Sequence, residues 1–159
     1  MSASRPTLVL VPGLMCDATS WGGVPAGLPE YDCTVVEHGT ADSLVQMAEQ
    51  VLAQAPARFA LAGHSMGGRV ALEVMRMAPK RVTHLGLFDT GHLPKAPGAA
   101  GDEEVRKRMA LLDIARTQGV RAMASEWVKG MVAPQRLNDH ALIESILEMF
   151  ERKSADIFE

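Results

Sequence analysis

FALAGHSMGGRVALEVM, residues 59–75, joins an apolar run to a helical pattern and leaves one serine, Ser65, between glycines at the junction. Phe59–Ala62 reads as a strand, and Gly67–Ala78 reads as an amphipathic helix stopped before Pro79, with Val70, Val74 and Met75 inward. A chain that turns directly from strand to helix drives the residue at the turn into a strained backbone conformation, and small neighbours are needed around it. Gly63 and Gly67 supply that room. The serine hydroxyl is then raised above the carboxyl end of the strand, at the start of a helix opening at Met66, where free amides and the helix dipole favour developing negative charge.

Outward from this junction, strand and helix signals alternate. Thr7–Val11 (TLVLV) is a branched apolar run ended by Pro12 and Gly13, and Cys33–Glu37 predicts a second strand. Asp42–Ala55 predicts a helix with Leu44, Val45, Ala48, Val51 and Leu52 on one stripe, and Val82–Phe88 predicts a fourth strand. Such alternation implies right-handed crossovers and an α/β fold, a mostly parallel sheet covered by helices on both sides. After Leu93 the pattern changes. Pro94, Pro97, Gly98 and Gly101 predict a flexible connection, followed by helices over 103–118, 120–131 and 139–151, the last capped by Asn138 or Asp139. The expected organisation is one structural unit, with a core over residues 1–93 and a helical segment over 94–159.

Composition narrows the function classes. The chain has 159 residues, 47% hydrophobic and 22% charged, with a formal net charge of −3, enough for a real core and without a basic face for nucleic acid. The opening MSASRPTLVLVPG is too short in apolar residues for a membrane span and shows no signal-peptide cleavage pattern, so a cytoplasmic location is expected. Cys16 and Cys33, the only two cysteines, form no CxxC and have no histidines at metal-ligand spacing, so free thiols are expected and no cofactor or metal is implied. Arg69 and Glu73, four apart on a helix, read as a solvated pair. Trp21 and Trp127 either line a pocket or close the core. The ten methionines read as packing, with an adaptable acyl pocket as the alternative.

The strand–GHSMGG–helix arrangement and the segment LVLVPGLMCDATSW closely resemble the α/β-hydrolase family, over the whole length from Thr7 into the helices beyond Leu93. The resemblance implies a Ser65 nucleophile in an elbow and an oxyanion hole made by two backbone amides, Met66 and, in the turn after the first strand, Leu14. Pro12 stands where many members have histidine, which removes its own donor and leaves that of Leu14. It also implies hydrolysis of a small acyl substrate, an ester, thioester or lactone, through an acyl-enzyme. The family order is serine, then acid, then histidine, with acid and histidine usually downstream of the cap. By that pattern two strands and both residues lie beyond Glu159, so the sequence is expected to be truncated. Within it, Asp89 stands where some members keep their acid, or caps a turn, and His92 shares its loop as a candidate base. His64 should point away from Ser65, while His38, His84 and His140 read as structural. The alternative is a non-catalytic remnant or binding module. In the family's strand order Val82–Phe88 would be internal, so its bare outer edge predicts a homodimer.

Overall fold

A computed structural model describes residues 5–159, so the first four residues of the opening stretch lie outside the described residues. Backbone contacts divide the chain into two compact units, one ending at His92 and the other spanning Leu93–Glu159. Each is described by itself.

The first unit is built on four strands, β1 (Thr7–Val11), β2 (Asp32–Val35), β3 (Phe59–His64) and β4 (Val82–Phe88), in the order β2-β1-β3-β4. Every pairing is parallel, with Leu8 opposite Ala60, Leu10 opposite Ala62 and His64 opposite Phe88. Two helices follow the second and third strands, α1 (Leu44–Gln54) and α2 (Met66–Met77). Ser43 caps α1 by accepting from the Gln46 amide at 3.2 Å. The second helix stops ahead of Pro79, which disfavours helical backbone in the residue before it and offers no amide.

Strand order decides which face each connection covers. The chain steps from β2 across β1 to β3 and on to β4 in one direction, but from β1 to β2 in the other. Right-handed crossovers therefore put α1 and α2 on one face and the β1–β2 connection on the opposite one. The buried cluster agrees, since Val9, Val11, Phe59 and Leu61 pack with Met47, Ala48 and Val51 of α1 and with Val70, Ala71 and Val74 of α2. On the other face Leu10 and Ala62 pack with Trp21, from a single 3₁₀ turn at Ala18–Trp21. Within this unit the β1–β2 connection on the second face runs as loop and that single 3₁₀ turn. The stripe of α1 is rotated from the expected one. Met47 is buried, whereas Leu44 and Val45 are 38% and 43% exposed.

The second unit contains α3 (Ala99–Gln118), α4 (Val120–Met131), α5 (His140–Glu151) and the short α6 (Ala155–Phe158). The expected flexible connection ends early: α3 takes Gly101 into its first turn, where a Cβ would collide with the Ala96 carbonyl. Asp139 caps α5 by accepting from the Leu142 amide at 3.1 Å. Trp127 packs on Phe150 and Phe158, with ring centroids 5.4 and 5.0 Å away. Among the described residues no helix is long and apolar enough to cross a membrane.

Candidate active site

β3 ends at His64 and α2 begins at Met66, so a single residue makes the turn. Ser65 adopts φ +54° and ψ −119° and is exposed. A non-glycine residue there costs on the order of 1–3 kcal/mol and persists only when its surroundings over-determine it. They do. The Ser65 amide donates to the Phe88 carbonyl at 2.9 Å, and the Ser65 carbonyl accepts from the Gly68 amide at 3.0 Å and the Thr90 hydroxyl at 2.7 Å. A Cβ on Gly63 would overlap the Gly67 carbonyl, and one on Gly67 would overlap the Val11 carbonyl. Gly68, which the sequence alone does not single out, is constrained by a side chain, because a Cβ there would lie 2.5 Å from the Thr90 Cγ2.

The two amides singled out from the sequence flank this turn. Met66 is the first residue of α2, where an amide has no acceptor within the helix and the dipole favours an anion. Leu14 follows Gly13, whose backbone lies against the serine: a Cβ built on Gly13 would be 3.2 Å from Ser65 Cβ and 3.3 Å from His64 Nδ1. The β1 loop thus reaches the elbow.

The remaining candidates fall differently. Asp89 directly follows β4 at φ +47°, its side chain is 90% exposed, and its Oδ2 lies 4.0 Å from His64 Nε2. His64, read from the sequence only as a neighbour turned away from Ser65, is therefore the histidine that Asp89 approaches. Its Nδ1 is enclosed without a hydrogen-bond partner among the described residues. His92 is exposed, and no carboxylate lies within 4 Å of it among the described residues. Strand register explains the difference, since pairing of His64 with Phe88 sets Asp89 one residue beyond the histidine on the adjacent strand. His38 is held by Gln50, with Nδ1 3.1 Å from Oε1.

Glu73 receives the guanidinium of Arg76, three residues on along the same helix, at 2.6 Å. That hydrogen bond holds the Glu73 carboxyl below the usual carboxylate range. Cys16 and Cys33 form no disulfide among the described residues; burial, and after it the Asp32 carboxylate, pushes the Cys33 thiol up.

A cavity of about 390 Å³ opens on the sheet face that lacks helices. Leu8, Leu10, Ala62 and Phe88 form its apolar wall, Trp21 stands edge-on to Phe88 at 6.0 Å, and His64 and Asp89 mark its polar end. Trp21 thus lines a pocket beside the elbow, while Trp127 belongs to the second unit, where it lines a separate cavity of about 410 Å³. Among the described residues no group of three histidines, cysteines or carboxylates is gathered to hold a metal ion.

No protein-family model matches the chain. Over 95 residues, 54% of the chain, it is 33% identical to the pimeloyl-[acyl-carrier protein] methyl ester esterase of Nitrosomonas europaea, of which it covers 38%. Among solved structures it superposes on the enol-lactonase of Burkholderia xenovorans LB400 with a TM-score of 0.79 at 19% identity, covering 98% of this chain and 63% of that one. A thermophilic esterase from Thermogutta terrifontis gives a TM-score of 0.78 at 22% identity, with 98% and 61% covered. The chain thus spans less than two thirds of the length of each of these proteins.

Proposed function

We infer that this chain, whose fold is that of the α/β-hydrolases, carries the nucleophile of a serine hydrolase acting on carboxylic esters, thioesters or lactones. The observation that carries the reading is the backbone of Ser65, an exposed non-glycine residue held at φ +54° between a buried strand and a helix N-terminus. In this reading the Ser65 oxygen attacks the acyl carbon and its proton passes to a base. The carbonyl electron pair moves onto oxygen, where the Met66 and Leu14 amides donate to it. Collapse expels the protonated alcohol or thiol and leaves an acyl-enzyme, which water then cleaves by the same steps. The name of the Nitrosomonas relative makes a methyl ester of an acyl chain the first substrate to try.

A second reading, a binding module without turnover, has its own support. The Ser65 hydroxyl makes no hydrogen bond among the described residues, and Asp89 approaches His64 rather than His92. An Asp89–His92 relay therefore draws no support from the geometry. A serine without a base is a weak nucleophile. Removing triad partners elsewhere leaves about 10³–10⁴-fold catalysis over water.

Reaction of the 159-residue chain with an activated fluorophosphonate separates the readings. Slow stoichiometric labelling that disappears in Ser65→Ala is expected. Labelling that persists in Ser65→Ala, or no labelling at all, overturns the nucleophile reading and leaves the binding module.

A further inference from the structure

The cavity on the open sheet face of the first unit has no part in the chemistry proposed so far, yet it meets the elbow at one end. His64, which precedes Ser65, and Phe88, whose carbonyl holds the Ser65 amide at 2.9 Å, both line it. From there it runs down the sheet. Leu8 shares a level with Ala60, four residues below His64, which is about 13 Å at about 3.3 Å per residue. Side chains two apart on a strand share a face, so Leu8 and Leu10 on β1 and Ala62 on β3 make a continuous apolar floor, to which Val24 and Leu28 of the β1–β2 connection add a wall.

Length, volume and charge together define an occupant. A zigzag of C–C bonds about 1.5 Å long at about 111° advances about 1.25 Å per carbon, so a straight chain of about ten carbons spans the floor. The volume of about 390 Å³ is that of a small-ligand site. Charge is confined to the elbow end: Asp89 is the only carboxylate among the lining residues, and none of them is lysine or arginine. Of the other polar groups, the Ser20 hydroxyl already donates to the Asp17 carbonyl at 2.8 Å, and Trp21 Nε1 is enclosed. A carboxylate brought to this end would be opposed by that of Asp89, whereas an ester there is neutral.

We propose that this cavity holds the straight acyl chain of the ester attacked at Ser65, and that Asp89 selects the uncharged ester over the carboxylate formed from it. This rests on the reading of Ser65 as nucleophile. Cleavage of the acyl-enzyme by water restores the serine and releases a carboxylic acid. Loss of its proton to solvent then places negative charge beside Asp89, which favours departure of the product.

Binding is measured in Ser65→Ala, where turnover does not interfere, with methyl esters of straight-chain acids as probes and tryptophan emission as the readout. Methyl octanoate should give a saturable change that is lost in Trp21→Phe and kept in Trp127→Phe. Affinity should rise about fourfold per methylene between the six- and eight-carbon esters and level off near ten carbons. Octanoate should bind at least about fivefold more weakly than its methyl ester, and Asp89→Asn should narrow that gap by a similar factor. No saturable change, affinity that keeps rising past twelve carbons, or a gap that Asp89→Asn does not move overturns the proposal. Ala62→Phe, which fills the middle of the floor, should abolish the change. If that variant fails to fold, Val24→Phe takes its place, and unaltered binding in the folded variant overturns the proposal. Failure of the nucleophile reading looks different: fluorophosphonate label that persists in Ser65→Ala, or no label in the parent, overturns that reading, while saturable binding of the ester leaves the cavity standing as a ligand site.

Discussion

The Ser65 amide donates to the Phe88 carbonyl at 2.9 Å, so the strained turn is tied to the end of β4 as well as to its own strand and helix. The Thr90 hydroxyl, two residues further on, closes the same bracket by donating to the Ser65 carbonyl at 2.7 Å. Thr90→Val keeps the shape and removes that donor. The Ser65 carbonyl still accepts from Gly68, so the expected loss is modest, about 1 kcal/mol in urea unfolding. Fluorophosphonate labelling of Ser65 should slow in parallel. An unchanged midpoint and an unchanged rate would show that β4 does not hold the elbow.

Gly63 and Gly67 are constrained by backbone and not by mobile side chains. A methyl group at either would overlap a carbonyl oxygen, of Gly67 or of Val11. Neither oxygen can retreat without breaking β1, β3 or the first turn of α2. Gly63→Ala and Gly67→Ala should each cost about 3 kcal/mol or more, at the severe end of overpacking, measured by chemical denaturation. By contrast Gly130, whose added Cβ would meet nothing within 4 Å, sits within α4 and should gain stability as alanine, by roughly 0.5–1 kcal/mol. A destabilised Gly130→Ala, or a well-folded Gly67→Ala, would contradict the geometry.

Asp139 gives the second unit a defined acid response. The Arg136 guanidinium at 2.7 Å, and then the Leu142 amide, hold its carboxyl below the usual carboxylate range. A carboxylate with a depressed folded-state value contributes stability that is fully present above its unfolded value, about 3.9, and is lost as pH falls through the lower folded value. Asp139→Asn still caps α5 but does not titrate. Below about pH 4 the parent should therefore lose stability more steeply with falling pH than the variant. Parallel unfolding curves for the two between pH 3 and 5 would remove Asp139 from the acid response.

The elements that could be read in the sequence are those bounded by residues with few choices. Thr7–Val11 and Val82–Phe88 have the bounds expected of them, because each is an apolar run closed on one side by a turn, and Val120–Met131 likewise matches its helical pattern. Ser65 at the junction was legible because glycines at fixed spacing leave few structural explanations. Three features were not. The buried face of α1 depended on where the helix docks, which moved the stripe from Leu44 and Val45 to Met47. The approach of Asp89 to His64 depends on the β3–β4 register, to which no local pattern corresponds. Positive φ at Met15 carries no residue signature, since methionine is not a residue that favours it.

The outer edge of β4 carries the last prediction. β4 pairs with β3 on one side and has no strand on the other among the described residues. Its side chains do not suit such an edge: Leu85 and Leu87 are 38% and 41% exposed, and Phe88 is 51% exposed. Edge strands in soluble proteins are blunted by lysine, proline, charge or a bulge; VTHLGLF has no lysine, proline or acidic residue, and its register shift, at Thr83, lies at the end away from Leu85–Phe88. A bare row of amides and carbonyls flanked by apolar side chains is a template for another strand, and a second copy of the chain supplies one. The 159-residue chain at micromolar concentration is therefore expected to sediment as a dimer or larger species. Leu87→Lys, which places a charge on that strand, should shift it towards monomer. A single sharp monomer boundary for the parent, together with cooperative unfolding, would show that the edge is tolerated as it stands.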